Sequence, residues 1–410
     1  MGKQECCREC CLVPEDVGLS SEVLAHIDGV MDMALSDKTL TGMVTLIARH
    51  GKIAHCKAYG YADEGKPMQV DNIFRIASMS KAVGTVALLR LQDQGRILIS
   101  DPVENYFPKF KDAKVALGGG KFDPVKRPVT VHDLLSMTGG LAATWSGGHP
   151  GADFYVEELK KAGIDDHMLP LNQTVRQIAD VVSGIPLAAQ PGERWEYSNL
   201  SMLVATAIVE IVSGMSIDEY LKQHVFEPLA MRDTSFFPDK ASWDRMAAVY
   251  ECGTGRRLDG LDTNGTDDTQ LPFSDVRVYH NTAGGLMGTA YDYFRFAQML
   301  LNGGELDGKS ILSRNAVKMM STNHIGGMRD YFYGHAWGYM VNVEENYNTQ
   351  FNYMGLGSWG WHGYWGTVFN IWPEEDMLAI FLSQCSPESP SWKTQERFLT
   401  VAASAIMDSR

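Results

Sequence analysis

Residues 71 to 95, DNIFRIASMSKAVGTVALLRLQDQG, constrain the fold of this chain more than any other stretch. Ala82, Val83, Val86, Ala87, Leu88, Leu89 and Leu91 put apolar side chains on nearly every face, as a helix buried all round requires, and Gly95 supplies a stop. Such a helix needs a core on all sides, which the rest of the chain must build. Where it begins stand Ser78 and Lys81, three residues apart and therefore on one helix face. A serine hydroxyl is a weak nucleophile at neutral pH unless a base lies within hydrogen-bond reach. An amine partly desolvated at the mouth of a buried helix has a lowered pKa and can be that base.

At 410 residues the chain can surround that helix, and its length suggests two domains. Hydrophobic content of 45% and charged content of 21% are those of an ordinary globular protein. The net charge of -14 argues against nucleic acid or an anionic membrane as partner, since both need clustered Lys and Arg, and favours a small neutral or cationic ligand. There is no run of 18 apolar residues and no apolar leader, so the expectation is a cytoplasmic protein without a membrane span. Four of the seven cysteines crowd into Cys6, Cys7, Cys10 and Cys11, where adjacent thiols make poor tetrahedral chelates and no second ligand pair follows. Residues 1 to 18 are therefore expected to be a flexible tail, with neither metal nor cofactor in the protein.

Further along, residues 44 to 61 read as a hairpin turning at His50-Gly51-Lys52, and residues 366 to 384 as another turning at Pro373-Glu374-Glu375. Helical spacing with caps or Gly stops appears at residues 20 to 35, 130 to 137, 175 to 183, 199 to 213, 217 to 225 and 392 to 407. Strands near both ends predict one sheet that joins the termini, with helices between. The expected division is an α/β domain from residues 19–85 and 286–410, a mainly helical domain from 86–285, and the site between them.

Two nucleotide signatures are present by spelling alone. Gly303 to Ser310 (GGELDGKS) matches a phosphate-binding loop, but a helical segment precedes it and the next helix cap comes at Ser313, not at the Lys-Ser. Gly355 to Gly360 (GLGSWG) matches a dinucleotide fingerprint but leads into an aromatic strand pattern, which removes the helix end such a site uses. No Gly-x-Ser-x-Gly elbow and no His-x-x-x-His pair occurs.

A second proton carrier stands in Trp195-Glu-Tyr197-Ser-Asn199, between a Pro-Gly turn and an apolar helix. A phenol beside an ammonium is expected to have a lowered pKa and to shuttle a proton. Ser78-x-x-Lys81, Tyr197-Ser-Asn199 and Trp361-His-Gly363, in this order and at these separations, resemble the serine penicillin-recognising enzymes. Within that superfamily the likeness is to the group of class C beta-lactamases, D-alanyl-D-alanine carboxypeptidases, family VIII carboxylesterases and lovastatin-type acyltransferases. It extends over residues 22 to 405, including PVTVHDLLSMTGGL and NTAGGLMGTAYDYFRFAQMLLNGG.

The resemblance implies an antiparallel sheet flanked by helices plus a mainly helical domain, an α+β arrangement. It implies Ser78 as nucleophile, Lys81 as its base partner and Tyr197 as the phenol that relays protons, with the first proton acceptor left open between the last two. Asn199 would contact a substrate amide, and the backbone N–H groups of Ser78 and Tyr364 would form the oxyanion hole. The third motif departs from the Lys-Thr-Gly usual in beta-lactamases and peptidases: Trp361 stands where a lysine would help hold a substrate carboxylate, as in the Trp-x-Gly of family VIII esterases. Losing that charge-assisted contact removes about 1.5 to 3 kcal/mol, about ten- to hundredfold in binding. His362 is expected to restore part of the charge at low pH. A carboxylesterase for short acyl or aryl esters is therefore expected, its pocket lined by Trp361, Trp365 and Tyr364 and shaped by loops 117–126 and 146–166. The rivals are an acyltransferase, a weak beta-lactamase or D-amino-acid peptidase, and a non-catalytic binder that keeps its acyl adduct.

Overall fold

The structure, a computed structural model, describes residues 12–164, 173–258, 279–332, 334–345 and 355–407. Cys6, Cys7, Cys10 and Cys11 lie outside the described residues. The packed chain begins before the residue 19 expected from sequence: residues Pro14–Val17 form a 3-10 turn with Val17 buried, because the Arg49 guanidinium donates to the carbonyls of Val17 and Gly18 at 3.0 Å each.

Eight antiparallel strands make the main sheet. They are β1 Gly42–Arg49, β2 Lys52–Asp63, β3 Lys66–Pro67, β4 Ala336–Trp337, β5 Asn342–Val343, β6 Trp359–Gly363, β7 Thr367–Trp372 and β8 Met377–Ser383. Their spatial order is β4-β5-β6-β7-β8-β1-β2-β3, so the two ends of the chain meet at the β8–β1 pair. The β1–β2 turn is closed by His50 and Gly51, both at positive φ (53° and 72°), the geometry of the two-residue turn that matches strand twist.

Side-chain alternation splits the sheet between two cores. Met43 and Ile47 of β1 and Ala379 and Phe381 of β8 face one layer, covered by helices α1 (His26–Ser36) and α5 (Trp392–Ser404). Val44, Leu46, Ala48, Ile380 and Leu382 face the other, which contains α2 (Ser80–Asp93), α3 (Asn199–Ser213) and α4 (Ala290–Leu301). Every residue of α2 from Ser80 to Leu89 is buried, as its unbroken apolar run predicts. Gly84 lets α2 and α3 approach: a Cβ there would lie 2.6 Å from Met202 Cε and 2.5 Å from Thr282 Oγ1.

The helix α2 runs unbroken across residue 85, where sequence suggested a boundary, and one apolar cluster continues from the sheet into the helices that follow. The two-part division stays a proposal, with α2 as the element shared by both parts. Residues 117–126, expected as a loop, instead form the turn and second strand of a small hairpin in which Lys114–Gly118 pairs with Lys121–Pro124. The phosphate-loop look-alike is likewise a hairpin, Glu305–Leu306 with Lys309–Ser310, set between α4 and a helix that Ser313 caps. The dinucleotide look-alike leads directly into β6. Among the described residues no single helix is long and apolar enough to cross a membrane, and no group of three or more His, Cys, Asp or Glu is arranged to hold a metal.

Candidate active site

Ser78 sits in a single 3-10 turn, Ala77–Met79, fused to the start of α2. Ala77 before it has φ 45°, a left-handed conformation that a residue with a Cβ adopts at a cost of order 1–3 kcal/mol. The neighbours that hold it there are packed tightly. Ile76 N donates to Leu286 O, Thr367 Oγ1 donates to Ile76 O at 3.2 Å, and Leu286 N donates to Ser80 Oγ at 3.1 Å. Within an otherwise buried segment, residues 72 to 80, Ser78 alone is partly open to solvent.

Lys81, one helical turn on, is fully buried. Its Nζ donates to Ser78 Oγ at 2.9 Å, to Asn199 Oδ1 at 2.7 Å and to the carbonyl of Ala283 at 2.5 Å. An ammonium has donors only, so the Asn199 amide turns its oxygen toward Lys81. Asn199 opens α3, and Ala283 belongs to a turn that Asn281 ties by accepting from Ala283 N at 2.7 Å. Three segments distant in sequence therefore fix one amine. Asn199 thus bonds Lys81 through its Oδ1, its contact with a substrate amide stays a proposal, and Ala283, which no motif marked, supplies the third acceptor.

Tyr197 is buried with its ring 4.8 Å from Lys81 Nζ. Its hydroxyl accepts from Trp361 Nε1 at 3.1 Å and hydrogen-bonds with Ser78. Burial drives its pKa well above that of an ordinary phenol, and the bonds from Ser78 and Trp361 pull it only partway back. The lowered value expected from the nearby ammonium is thus overturned, because desolvation of the phenolate outweighs its partners. His362 departs from expectation in the same way. Burial, then the charges of Lys81 and His335, push its pKa down to about 3, so the imidazole stays neutral over the ordinary pH range and supplies no cation for a carboxylate.

The third motif meets the nucleophile turn through Gly363. A Cβ at that position would lie 2.4 Å from Ile76 O, 2.3 Å from Thr367 Oγ1 and 3.2 Å from Ala77 Cβ, so only glycine permits this approach. Trp361 is almost fully buried and packs edge-on against Trp337 at 4.5 Å. Trp365 lies behind the nucleophile turn with Ala77, Val249 and Leu258. Of the three aromatics expected to line the pocket, Tyr364 alone is exposed, at 41%. A wall that sequence reading missed comes from Trp145, Tyr331, Phe332 and Trp337, grouped around Trp195 and Tyr197. The one available signal was the aromatic density of residues 331 to 337 (YFYGHAW).

The chain is similar in sequence and fold to proteins of one family. The esterase EstB of Burkholderia gladioli is 32% identical over 289 residues, covering 67% of this chain and 69% of its own. Among solved structures, "EstCE1, a hydrolase with promiscuous acyltransferase activity" superposes with a TM-score of 0.78 at 25% identity, covering 94% of this chain and 99% of that one. The unliganded simvastatin synthase (LovD) of Aspergillus terreus, a selenomethionyl derivative, shares the fold at TM-score 0.76 and 17% identity, covering 95% and 100%. The sequence model described as Beta-lactamase matches residues 25–404. A chain matched over nearly its whole length, with an amine held against a serine at the head of a buried helix, belongs to the beta-lactamase family.

Proposed function

We propose that this protein is a serine carboxylesterase that cleaves short acyl or aryl esters through an acyl-enzyme on Ser78. The observation that carries the reading is the Ser78–Lys81–Tyr197 cluster: a partly open hydroxyl, a buried amine 2.9 Å from its oxygen, and a phenol bonded to the same serine. With all three hydrogens donated, Lys81 in its charged form holds the Ser78 oxygen and stabilises negative charge on it. Removal of the serine proton falls to whichever of Lys81 and Tyr197 has given one up. The ester carbonyl is attacked by Ser78 Oγ, and the negative oxygen of the tetrahedral intermediate is received by the backbone N–H groups of Ser78 and Tyr364. One such donor contributes about 2.7–4 kcal/mol to the rate. The close fit of Gly363 on Ile76 and Ala77 supports that pairing. Tyr197 then passes a proton to the leaving alkoxide, and water completes the cycle.

Esters are favoured over carboxylate-bearing peptides because no cation replaces the lysine of the third motif: Trp361 is an indole bonded to Tyr197, and His362 is neutral. EstB is named an esterase, which supports the same reading. Transfer of the acyl group to an alcohol is the second reading, favoured by the likeness to EstCE1, a hydrolase with promiscuous acyltransferase activity, since one acyl-enzyme serves water or another acceptor.

The test is intact-protein mass spectrometry with a p-nitrophenyl acetate and butyrate series, following nitrophenol release. Turnover with a transient adduct on Ser78 is expected, and Ser78→Ala is expected to abolish both. Retained turnover in that variant would sink the nucleophile assignment. Added alcohol that diverts the product to a new ester would favour the transferase reading.

A further inference from the structure

The proton relay does not need most of the rings that surround Tyr197. Trp361 and Trp337, 5.5 and 6.1 Å from its ring, are buried, and Phe332, at 5.4 Å, is partly buried. Trp145 and Tyr331 are different, being 37% and 54% exposed. Trp145 lies 6.5 Å from the Tyr197 ring, tilted 35° to it. Tyr331 stands edge-on to Trp195 at 5.0 Å and against Phe332 at 4.6 Å. The side chains of Trp145 and Tyr331 also hydrogen-bond, and since an indole only donates, its N–H points at the Tyr331 oxygen. Two segments almost two hundred residues apart thus present a pair of fixed, partly open ring faces beside the catalytic phenol.

We propose that Trp145 and Tyr331 form an aromatic clasp on the leaving-group side of the site, and that it selects esters of aromatic, benzyl-type alcohols. The inference rests on the ester-hydrolase reading above. In that reading Tyr197 hands its proton to the departing alkoxide, so rings flanking Tyr197 flank the alcohol and not the acyl group. A cationic alcohol is disfavoured because Lys81 Nζ already lies 4.8 Å from the Tyr197 ring. A neutral ring gains from edge and face contacts that a saturated ring of the same size cannot make, roughly two- to tenfold per pair.

The experiment compares kcat and KM of the full chain for benzyl butyrate and cyclohexylmethyl butyrate, which share the acyl group and have alcohols of similar size and basicity. The expected result is a preference for the benzyl ester of roughly threefold or more, carried by KM. In Trp145→Leu the ratio should fall to what Tyr331 alone supports, roughly two- to tenfold below that of the unaltered protein, while Trp145→Phe, which keeps a ring, should retain most of it. Thermal melting of both variants separates loss of the clasp from loss of the fold. Equal use of the two esters by the unaltered protein, or an unchanged ratio in a folded Trp145→Leu, overturns the clasp alone. Absence of turnover and of a Ser78 adduct with every ester, p-nitrophenyl acetate included, overturns the ester reading and the clasp with it.

Discussion

Tyr197 holds two partners through one oxygen, accepting from the Trp361 indole at 3.1 Å and bonding with Ser78. Tyr197→Phe keeps the ring in its aromatic nest and removes that oxygen. The expected loss is about 10²- to 10⁴-fold in kcat, measured in steady state, with the Ser78 adduct still detectable. A loss smaller than tenfold would remove Tyr197 from the relay. Gly363→Ala tests a different contact, because its Cβ would be pressed against Ile76 O and Thr367 Oγ1. Overpacking of that kind costs about 1–3 kcal/mol, so we expect a lower Tm together with a drop in kcat, since the displaced neighbour carries Ser78. The serine, lysine and tyrosine could be read from the sequence because their chemistry demands particular residue types at a fixed place on a helix or beside a turn. Ala283, Trp145 and Tyr331 could not: they contribute a backbone carbonyl or a ring face, which many residues offer, and the fold alone selects them. The charge states expected for Tyr197 and His362 failed because a sequence shows a group's neighbours in the chain and not how much water surrounds it.

Gly84 sets two effects against each other within α2. Alanine is about 1 kcal/mol better than glycine inside a helix. The added methyl, however, would sit 2.5 Å from Thr282 Oγ1 and 2.6 Å from Met202 Cε, a clash whose cost of about 1–3 kcal/mol exceeds that gain. Gly84→Ala is thus expected to lower stability in denaturant melts, and a stabilised variant would show that α2 and α3 can separate freely. Elements with strong local codes were legible: α2 by its apolar run, and the β1–β2 hairpin by a His-Gly turn that takes two positive φ values. The helix at Val131–Leu135 announced itself through Thr130, whose side chain accepts from Asp133 N while Asp133 accepts from Thr130 N. By contrast β4 and β5 are two residues each, too short for any period to show, and are strands only because β5 pairs with β6 and β4 with β5.

For the molecule as a whole, acid is expected to weaken the fold, and the sign follows from counting groups. Burial lowers the pKa of His55 to about 4 and of His362 to about 3, and burial likewise lowers those of His132, His224, His280 and His324. Between those folded values and the unfolded value near 6.5, the unfolded chain binds protons that the folded chain refuses, so stability falls as pH drops. Burial acts oppositely on Asp292, raised to about 6, and on Glu210 and Glu388. Six imidazoles outnumber three carboxyls, so Tm is expected to decline from about pH 6.5 toward pH 4. His55→Gln should flatten that decline, and an unchanged slope would show that His55 is not among its causes. At this scale the sheet that joins the chain ends was legible from strand patterns at both ends, whereas the continuity of one core across the expected boundary was not, since α2 carries no break to mark it. The meeting of β1 with β8 has a consequence for biosynthesis. On the ribosome β1 is made early but stays unpaired along one edge until Met377–Ser383 emerges, some three hundred residues later. Ser78 is likewise made long before Gly363, so a nascent or C-terminally truncated chain carries its nucleophile without the strand that completes the site.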